Sequence, residues 1–265
     1  VNNGNIQLAL LSHKTTDQLW LSPSMEPEVL NLDPATHGSA VRAAYYSAAT
    51  IITRVSAEIL DINPEEFEIS SIFRHVSGFG RIYINDHLPN GAGFTRWIRE
   101  NLSSLLGEFK NPVEASSSFL RSISSHQHQC SCNQSCYKCL RGYSNRPLHG
   151  LLDWRLGLDL LHCLADEQYQ CGLDGVYAYH ESIHEYMLTC ATRFAKMFSG
   201  EVTGGTGGQL PIVSFPSWGN RFIVGHPLWN PRLIPENLVP TTDGSLQYID
   251  CFNLTCRPAW VYAHL

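Results

Sequence analysis

Four cysteines within ten residues place the strongest constraint on this 265-residue chain. They are Cys130, Cys132, Cys136 and Cys139, spaced C-x-C-x3-C-x2-C. Thiolates bind Zn²⁺ tetrahedrally, and two short pairs joined by a turn bring four sulfurs around one ion. Four protein ligands leave no open position for water, so the predicted zinc site is structural. Disulfides between neighbouring cysteines, free thiols and an iron–sulfur cluster are the alternatives.

The segment around these cysteines differs from the rest of the chain. Residues 111–150 are rich in Ser, His and Cys and show little apolar periodicity. We therefore predict that a metal, rather than a hydrophobic core, orders this segment. Crowded cysteines are poorly suited to disulfides, so we expect a reducing, cytoplasmic setting.

The composition indicates a globular protein with no membrane partner. Hydrophobic residues make up 43% of the chain, and no apolar run reaches the roughly 18 residues of a membrane span. A net charge of -6 argues against a protein held to nucleic acid mainly by its overall field, but it permits a local basic patch. The isolated apolar pair near the start leads us to expect the C-terminal piece of a longer protein.

Hydrophobic periodicity predicts an α+β fold. Helices are predicted over 38–60, from 94 onward, over 151–164 and over 176–198. Strands are predicted over 6–11, 19–22, 67–73, 81–85, 211–215, 221–224, 248–252 and 260–262. We divide the chain into an α/β part (1–110), the zinc loop with helices (111–198), a flexible Gly-rich loop (199–209) and a small β-rich C-terminal lobe (210–265).

Three sequence runs carry a resemblance to a known family. They are CYKCLRGYSN over 136–145, LDWRL over 152–156 preceded by His149, and RIYINDHLPNGAGF over 81–94. Together they resemble the zinc-binding domain at the C-terminus of MrfA-type superfamily 2 helicases, and most of all its version in DrmB-type proteins of the DISARM anti-phage system. The resemblance covers roughly residues 6–165 well and the C-terminal lobe more weakly.

The resemblance implies a four-cysteine zinc site in an ATP-driven DNA-processing protein or its accessory subunit. The partners would be DNA and a helicase subunit, or helicase domains upstream in the same chain. The sequence contains no Gly-Lys pair, so it lacks the P-loop that a motor of this kind needs. We therefore predict a non-catalytic module whose ATPase lies elsewhere.

Basic residues near the cysteines form a candidate nucleic-acid surface. They are Lys138, Arg141, Arg146 and Arg155, with Tyr137 and Tyr143 interleaved. Such a pattern is typical of a surface that grips a phosphate backbone and stacks bases. The alternative is that these cations pair with the acids of the next helix, namely Asp153, Asp159 and Asp166.

A second motif favours a different function. His180, Glu181 and His184 form an H-E-x-x-H, which on a helix places two imidazoles on one face as in zinc metallohydrolases. The third ligand is the weak point, because the first carboxylate after the predicted helix 176–198, Glu201, falls in the Gly-rich loop. A third hypothesis is a scaffold whose apolar faces dock a helicase subunit.

The turn over 89–93 (PNGAG), together with Asp86, is a candidate anion site. Backbone amides at a helix N-terminus favour a phosphate. The alternative is that Gly91 and Gly93 permit a backbone with positive φ and close packing of the strand against the helix.

Overall fold

The computed structural model describes residues 13–24, 28–35, 38–75, 78–177, 183–216, 219, 221–239 and 246–264. Its helices and two sheets confirm the predicted α+β class. The strand predicted over 6–11 lies outside the described residues. No helix in these ranges is both long and apolar enough to span a bilayer.

The first sheet has three antiparallel strands in the order β1-β3-β2. β1 spans Gln18–Leu21, β2 spans Phe67–Ile69 and β3 spans Ile82–Asp86. The predicted pairing of the second and third strands is confirmed, with Phe67 opposite Asp86 and Ile69 opposite Ile84. β2 ends earlier than predicted, because only one further backbone bond, from the Ser70 amide to the Tyr83 carbonyl, continues the pairing.

Helices α1 and α6 form the centre of the hydrophobic core. α1 spans Gly38–Leu60, as predicted, and α6 spans Trp154–Ala165. Their backbones approach closely at Gly157, where an added Cβ would lie 2.8 Å from the side chains of Ile51 and Ser47. A side chain at this position would force the two helices apart.

Four shorter helices lead from the first sheet to the cysteines. They are α2 (Phe94–Glu100), α3 (Leu102–Lys110), α4 (Ser118–Ile123) and α5 (His126–Ser131). α2 begins after Gly93, as predicted, and the helix breaks at Asn101. The prediction that residues 111–150 lack a hydrophobic core was wrong, because Leu120 and Ile123 are fully buried. α4 and α5 are too short to show a periodicity, and serine side chains cap both of them.

The C-terminal part contains α7 (Ile183–Met197) and a second sheet, in the order β4-β5-β6-β7. The strands are β4 (Glu201–Gly204), β5 (Pro211–Ser214), β6 (Arg221–Gly225) and β7 (Gln247–Asp250). The Gly-rich segment 199–209, predicted as a flexible loop, therefore contains a strand. Pairing with β5 orders this segment, and local composition does not reveal such a partner.

Two short helices follow β7, which confirms the strand predicted over 248–252 except for its last two residues. α8 spans Cys251–Cys256 and α9 spans Pro258–Ala263. The Asp250 side chain accepts a hydrogen bond from the backbone amide of Asn253 at 2.8 Å. This N-cap ends β7 and starts α8. The strand predicted over 260–262 was wrong, because Pro258 starts a helical turn in which Trp260 stacks on His264.

Buried residues of both sheets belong to one hydrophobic cluster. Residues 29–31 also pair with 228–230, which joins the beginning of the described chain to the C-terminal part. The proposed division at 110, 198 and 209 stays a prediction.

Candidate metal centre

Four side chains with metal-ligating atoms meet between α5 and the turn that follows it. His128, Cys132, Cys136 and Cys139 hold their ligand atoms within 4.8 Å of one another. The Cys139 sulfur lies 3.9 Å from the sulfur of Cys132 and 3.6 Å from that of Cys136. The structure thus brings three of the four predicted cysteines together and supplies a histidine as the fourth residue.

Helix geometry explains why Cys130 is not in this cluster. Residues four apart lie on one helix face, and the Cys132 amide bonds the His128 carbonyl at 2.8 Å. Cys130, two residues away, points to the other side, where it is exposed beside His126. Sequence reasoning missed His128 because α5 itself was not predicted; a helix capped by Ser125 would have revealed the H-x-x-x-C spacing.

The other two cysteines lie on a tight turn. The Cys136 amide donates to the Cys139 sulfur at 3.0 Å, and the Arg141 amide donates to the Cys136 carbonyl at 3.0 Å. A hydrogen bond from the Cys132 thiol lowers the pKa of Cys139 to about 4, against the effect of burial. The turn therefore stabilises a thiolate, the form of cysteine that binds metal.

The cluster fits zinc. The Nε2 atom of His128 is buried and makes no hydrogen bond of ordinary geometry to a described residue, although His128 lies close enough to Cys139 to help lower the pKa of that thiol. Such an atom is costly to leave unpaired in a core, and a metal would satisfy it. Three sulfurs and one imidazole nitrogen are a known ligand set of closed structural zinc sites. When bound, zinc would crosslink α5 to the turn, and it would have no open position for catalysis.

Comparison with protein families identifies this part of the chain. Residues 48–140 match the family model of the MrfA Zn-binding domain. The match begins inside α1 and ends one residue after Cys139, so it includes all four clustered side chains. Comparisons with curated proteins and with solved structures find no match. The chain thus carries a zinc-binding segment of the MrfA type over roughly a third of its length.

Trp154 connects this MrfA-type segment to α6. Its indole nitrogen donates to the Cys132 carbonyl at 3.0 Å, and its ring packs edge-on against His128 with 5.4 Å between centroids. His149 bonds the Gly142 carbonyl at 2.9 Å. Both residues hold the cysteine segment against the core.

Three of the four predicted nucleic-acid residues lie at the surface beside the zinc turn. Lys138 and Arg146 are exposed, and Arg141 is half-buried with its Nε donating to the Ser135 hydroxyl at 3.0 Å. Tyr137 and Tyr143 are 69% and 79% exposed, and the Arg146 guanidinium lies 5.5 Å from the Tyr143 ring centre.

The alternative partners of these cations are engaged elsewhere. Asp166 pairs with Lys110 at 2.8 Å, and Asp153 caps α6. Within the described ranges, no ion pair involves Lys138, Arg141 or Arg146.

Arg155, the fourth predicted nucleic-acid residue, needs correction. It is only 4% exposed, its guanidinium lies between the rings of Trp154 and Tyr186, and it donates to the Asn133 carbonyl at 2.9 Å. A buried guanidinium in this position supports packing and does not reach a phosphate backbone.

The candidate anion site is filled by the chain itself. The Asp86 carboxylate accepts hydrogen bonds from the backbone amides of residues 92–95, at distances from 2.7 to 3.2 Å. Gly91 and Gly93 both have positive φ. The packing alternative therefore holds, and the anion at the start of α2 is Asp86 itself.

The H-E-x-x-H motif is only partly described. His180 and Glu181 lie outside the described residues. His184 is half-buried on α7, its Nδ1 is buried without a partner, and burial lowers its pKa. Glu201, the weak third ligand, is exposed on β4.

A second group of potential ligands, Asp159, Cys171 and His226, is fully buried. The Leu228 amide donates to His226 Nδ1 at 3.2 Å, so the ring proton is on Nε2. That proton points at Asp159, with 3.0 Å between Nε2 and Oδ2. Burial also raises the pKa of the Cys171 thiol. No lone pair on His226 is left for a metal, so these residues form a hydrogen-bonded network.

Proposed function

We propose that this chain is a zinc-stabilised, non-catalytic module of a helicase-associated DNA-processing protein, with a role in anti-phage defence of the DISARM type. The match to the MrfA Zn-binding domain over the metal cluster is the observation that carries this proposal. The resemblance of residues 136–156 to DrmB-type proteins supports the finer assignment. Its partners would be DNA and a helicase subunit or upstream helicase domains.

The surface beside the zinc turn supports DNA contact. Lys138, Arg141 and Arg146 pair with no acidic side chain in the described part of the chain, and two exposed tyrosines lie among them. The bound zinc would hold their turn rigid, so the charges are presented in a fixed arrangement. Contacts of this kind bind phosphates without reading sequence.

DNA binding is tested by replacing Lys138, Arg141 and Arg146 together with Gln. We expect affinity for single- and double-stranded DNA to fall evenly across sequences. The slope of log affinity against log salt should decrease by roughly one unit per lost phosphate contact. Fluorescence anisotropy at several salt concentrations measures both.

A control with the same change of charge replaces Arg193, Lys196 and Arg257, which are exposed on α7 and beside α8. It should leave DNA affinity almost unchanged. If the two triple variants behave alike, or if the first releases a helicase subunit without changing DNA affinity, the scaffold hypothesis replaces DNA contact.

Metal counting tests the non-catalytic assignment. We expect one zinc per chain, lost in Cys136→Ser and retained in His184→Ala. A second zinc that disappears with His184→Ala would instead favour the metallohydrolase.

A further inference from the structure

A groove of about 660 Å³ opens beside the metal centre. Its walls are β2 with the two residues after it and the segment 142–148 that follows the zinc turn, while α1 contributes the floor. β1 and β3, both fully described, contribute no residue to the lining. The groove therefore lies beyond the outer edge of β2 rather than over a face of the sheet.

The hydrogen bonds of β2 show which backbone groups face this groove. The His87 amide donates to the Glu66 carbonyl at 2.7 Å, and the Ser70 amide donates to the Tyr83 carbonyl at 3.0 Å. Antiparallel pairing alternates, so residues 66, 68 and 70 direct their backbone groups toward β3. Residues 67, 69 and 71 direct theirs outward.

The outer edge of β2 is open. Within the described part of the chain, β3 is the only strand that pairs with it. The Phe67 amide is used locally, by the Pro64 carbonyl, but no described residue hydrogen-bonds the amide or the carbonyl of Ile69, which leaves both for an incoming strand. An open edge of this kind is a template for pairing with another extended chain.

A cation stands on the floor of the groove. Among the described residues, Arg54, on α1, donates one hydrogen bond, from Nη2 to the Arg141 carbonyl at 3.0 Å, and its guanidinium lies 5.7 Å from the Phe119 ring centre. No carboxylate of the described residues pairs with it. The nearest thiolates, Cys136 and Cys139, belong to the metal centre, whose charge a bound zinc largely neutralises. Most of the guanidinium donors remain available for a carboxylate.

The rim of the groove distinguishes between classes of ligand. Glu65 and Glu68 line the groove, Glu66 lines an adjoining hollow, and of these Glu68 pairs with Lys14 and His87. Acidic groups along one wall repel a phosphate backbone. A peptide tolerates them, since its charge varies from residue to residue.

From the open edge, the cation that pairs with no carboxylate of the described residues and the acidic rim together, we propose that this groove binds an extended peptide segment of a partner protein that carries a single acidic side chain. The segment pairs with β2 as an additional strand and places an Asp or Glu side chain on Arg54. The five residues from 67 to 71 accommodate a strand of about 16 Å. This site adjoins the basic surface around Tyr143, but it uses the edge of β2 and Arg54, which that surface does not, so it does not depend on DNA binding.

The proposal is tested by selecting random twelve-residue peptides on the immobilised, zinc-loaded full chain. We expect the selected peptides to share one acidic position within an alternating pattern of β-branched residues. Arg54→Gln should weaken their binding about tenfold, the loss of a charge-assisted hydrogen bond. Arg42→Gln, which alters an exposed arginine on the same helix, should not change it.

Backbone pairing has its own test. Ile69→Pro removes an outward amide without removing a bond to β3, so the variant should keep its zinc and lose peptide binding by about tenfold or more. N-methylation of alternate amides of the peptide makes the same test on the unaltered protein. Only one of the two alternating sets should abolish binding.

Three results would overturn the proposal. The first is that the selection yields no peptide above the blank resin. The second is that the selected peptides bind equally to wild type and to both variants. The third is that a twelve-nucleotide oligothymidylate displaces them in an Arg54-dependent manner. The last result would make the groove a nucleic-acid site.

Discussion

The described residues contain two buried clusters of potential metal ligands, and only one of them is built for a metal. In the first, His128 has a buried ring nitrogen with no partner, next to three cysteines. In the second, Asp159 accepts hydrogen bonds from three side chains, those of Tyr169, Tyr177 and His226. In both clusters, side chains of metal-ligating types hold their ligand atoms within 4.8 Å of one another.

The difference lies in the free lone pairs. A ligand must offer a lone pair that no proton already occupies. His128 offers one, whereas the Leu228 amide fixes the His226 tautomer so that its Nε2 carries a proton. The two clusters therefore stabilise different parts of the fold by different means. The first needs an ion to hold a loop, and the second connects α6 to the end of β6 by hydrogen bonds alone.

Removing zinc should have the largest effect. Structural zinc contributes about 10 kcal/mol or more of binding free energy to folding. We expect Cys139→Ser, Cys136→Ser or a strong chelator to open residues 125–150 to proteolysis and to destabilise α6, which Trp154 joins to the site. Limited proteolysis with mass spectrometry measures this. Unchanged protease resistance would show that the segment folds without metal.

Breaking the second cluster should cost less and should leave the zinc in place. Asp159→Ala leaves His226 and two tyrosine hydroxyls without their acceptor in the core, so we expect a loss of about 3–4 kcal/mol of unfolding free energy. Urea denaturation measures the loss and metal analysis the zinc content. A drop from two zinc ions to one would mean that both clusters bind metal.

Comparing His128→Ala with Cys130→Ser tests which residue completes the first cluster. We expect His128→Ala to weaken zinc affinity about a hundredfold, roughly 2.7 kcal/mol, because one of four ligands is lost. Cys130→Ser, which alters an exposed thiol, should leave the affinity unchanged. Competition with a chromophoric chelator gives both values, and the reverse order would restore the four-cysteine set.

The smallest effect is expected for Tyr169→Phe. This substitution removes the hydrogen bond that the Tyr169 hydroxyl donates to the Asp159 carboxylate, at 2.9 Å, and keeps the ring. We expect a loss of about 1.5 kcal/mol of unfolding free energy, with zinc affinity unaltered. Thermal and urea unfolding at matched zinc concentration provide the comparison. A change in zinc affinity would show that the two clusters are coupled.

Local patterns in the sequence determined a large part of this protein. The apolar spacing of 38–60 determines α1, Gly93 permits the start of α2, and the crowded cysteines indicate a metal. Each of these features depends on residues within a few positions of one another, so it can be predicted without knowing which other segments of the chain it contacts.

Tertiary structure decided the rest, because those features depend on which segments meet. The partner β5 makes a strand of 201–204, and packing between Trp154 and Tyr186 withdraws Arg155 from the surface. The fourth side chain of the metal centre was decided in the same way. A short helix, invisible as a periodicity, turns His128 inward and Cys130 outward, since residues two apart on a helix point to opposite sides.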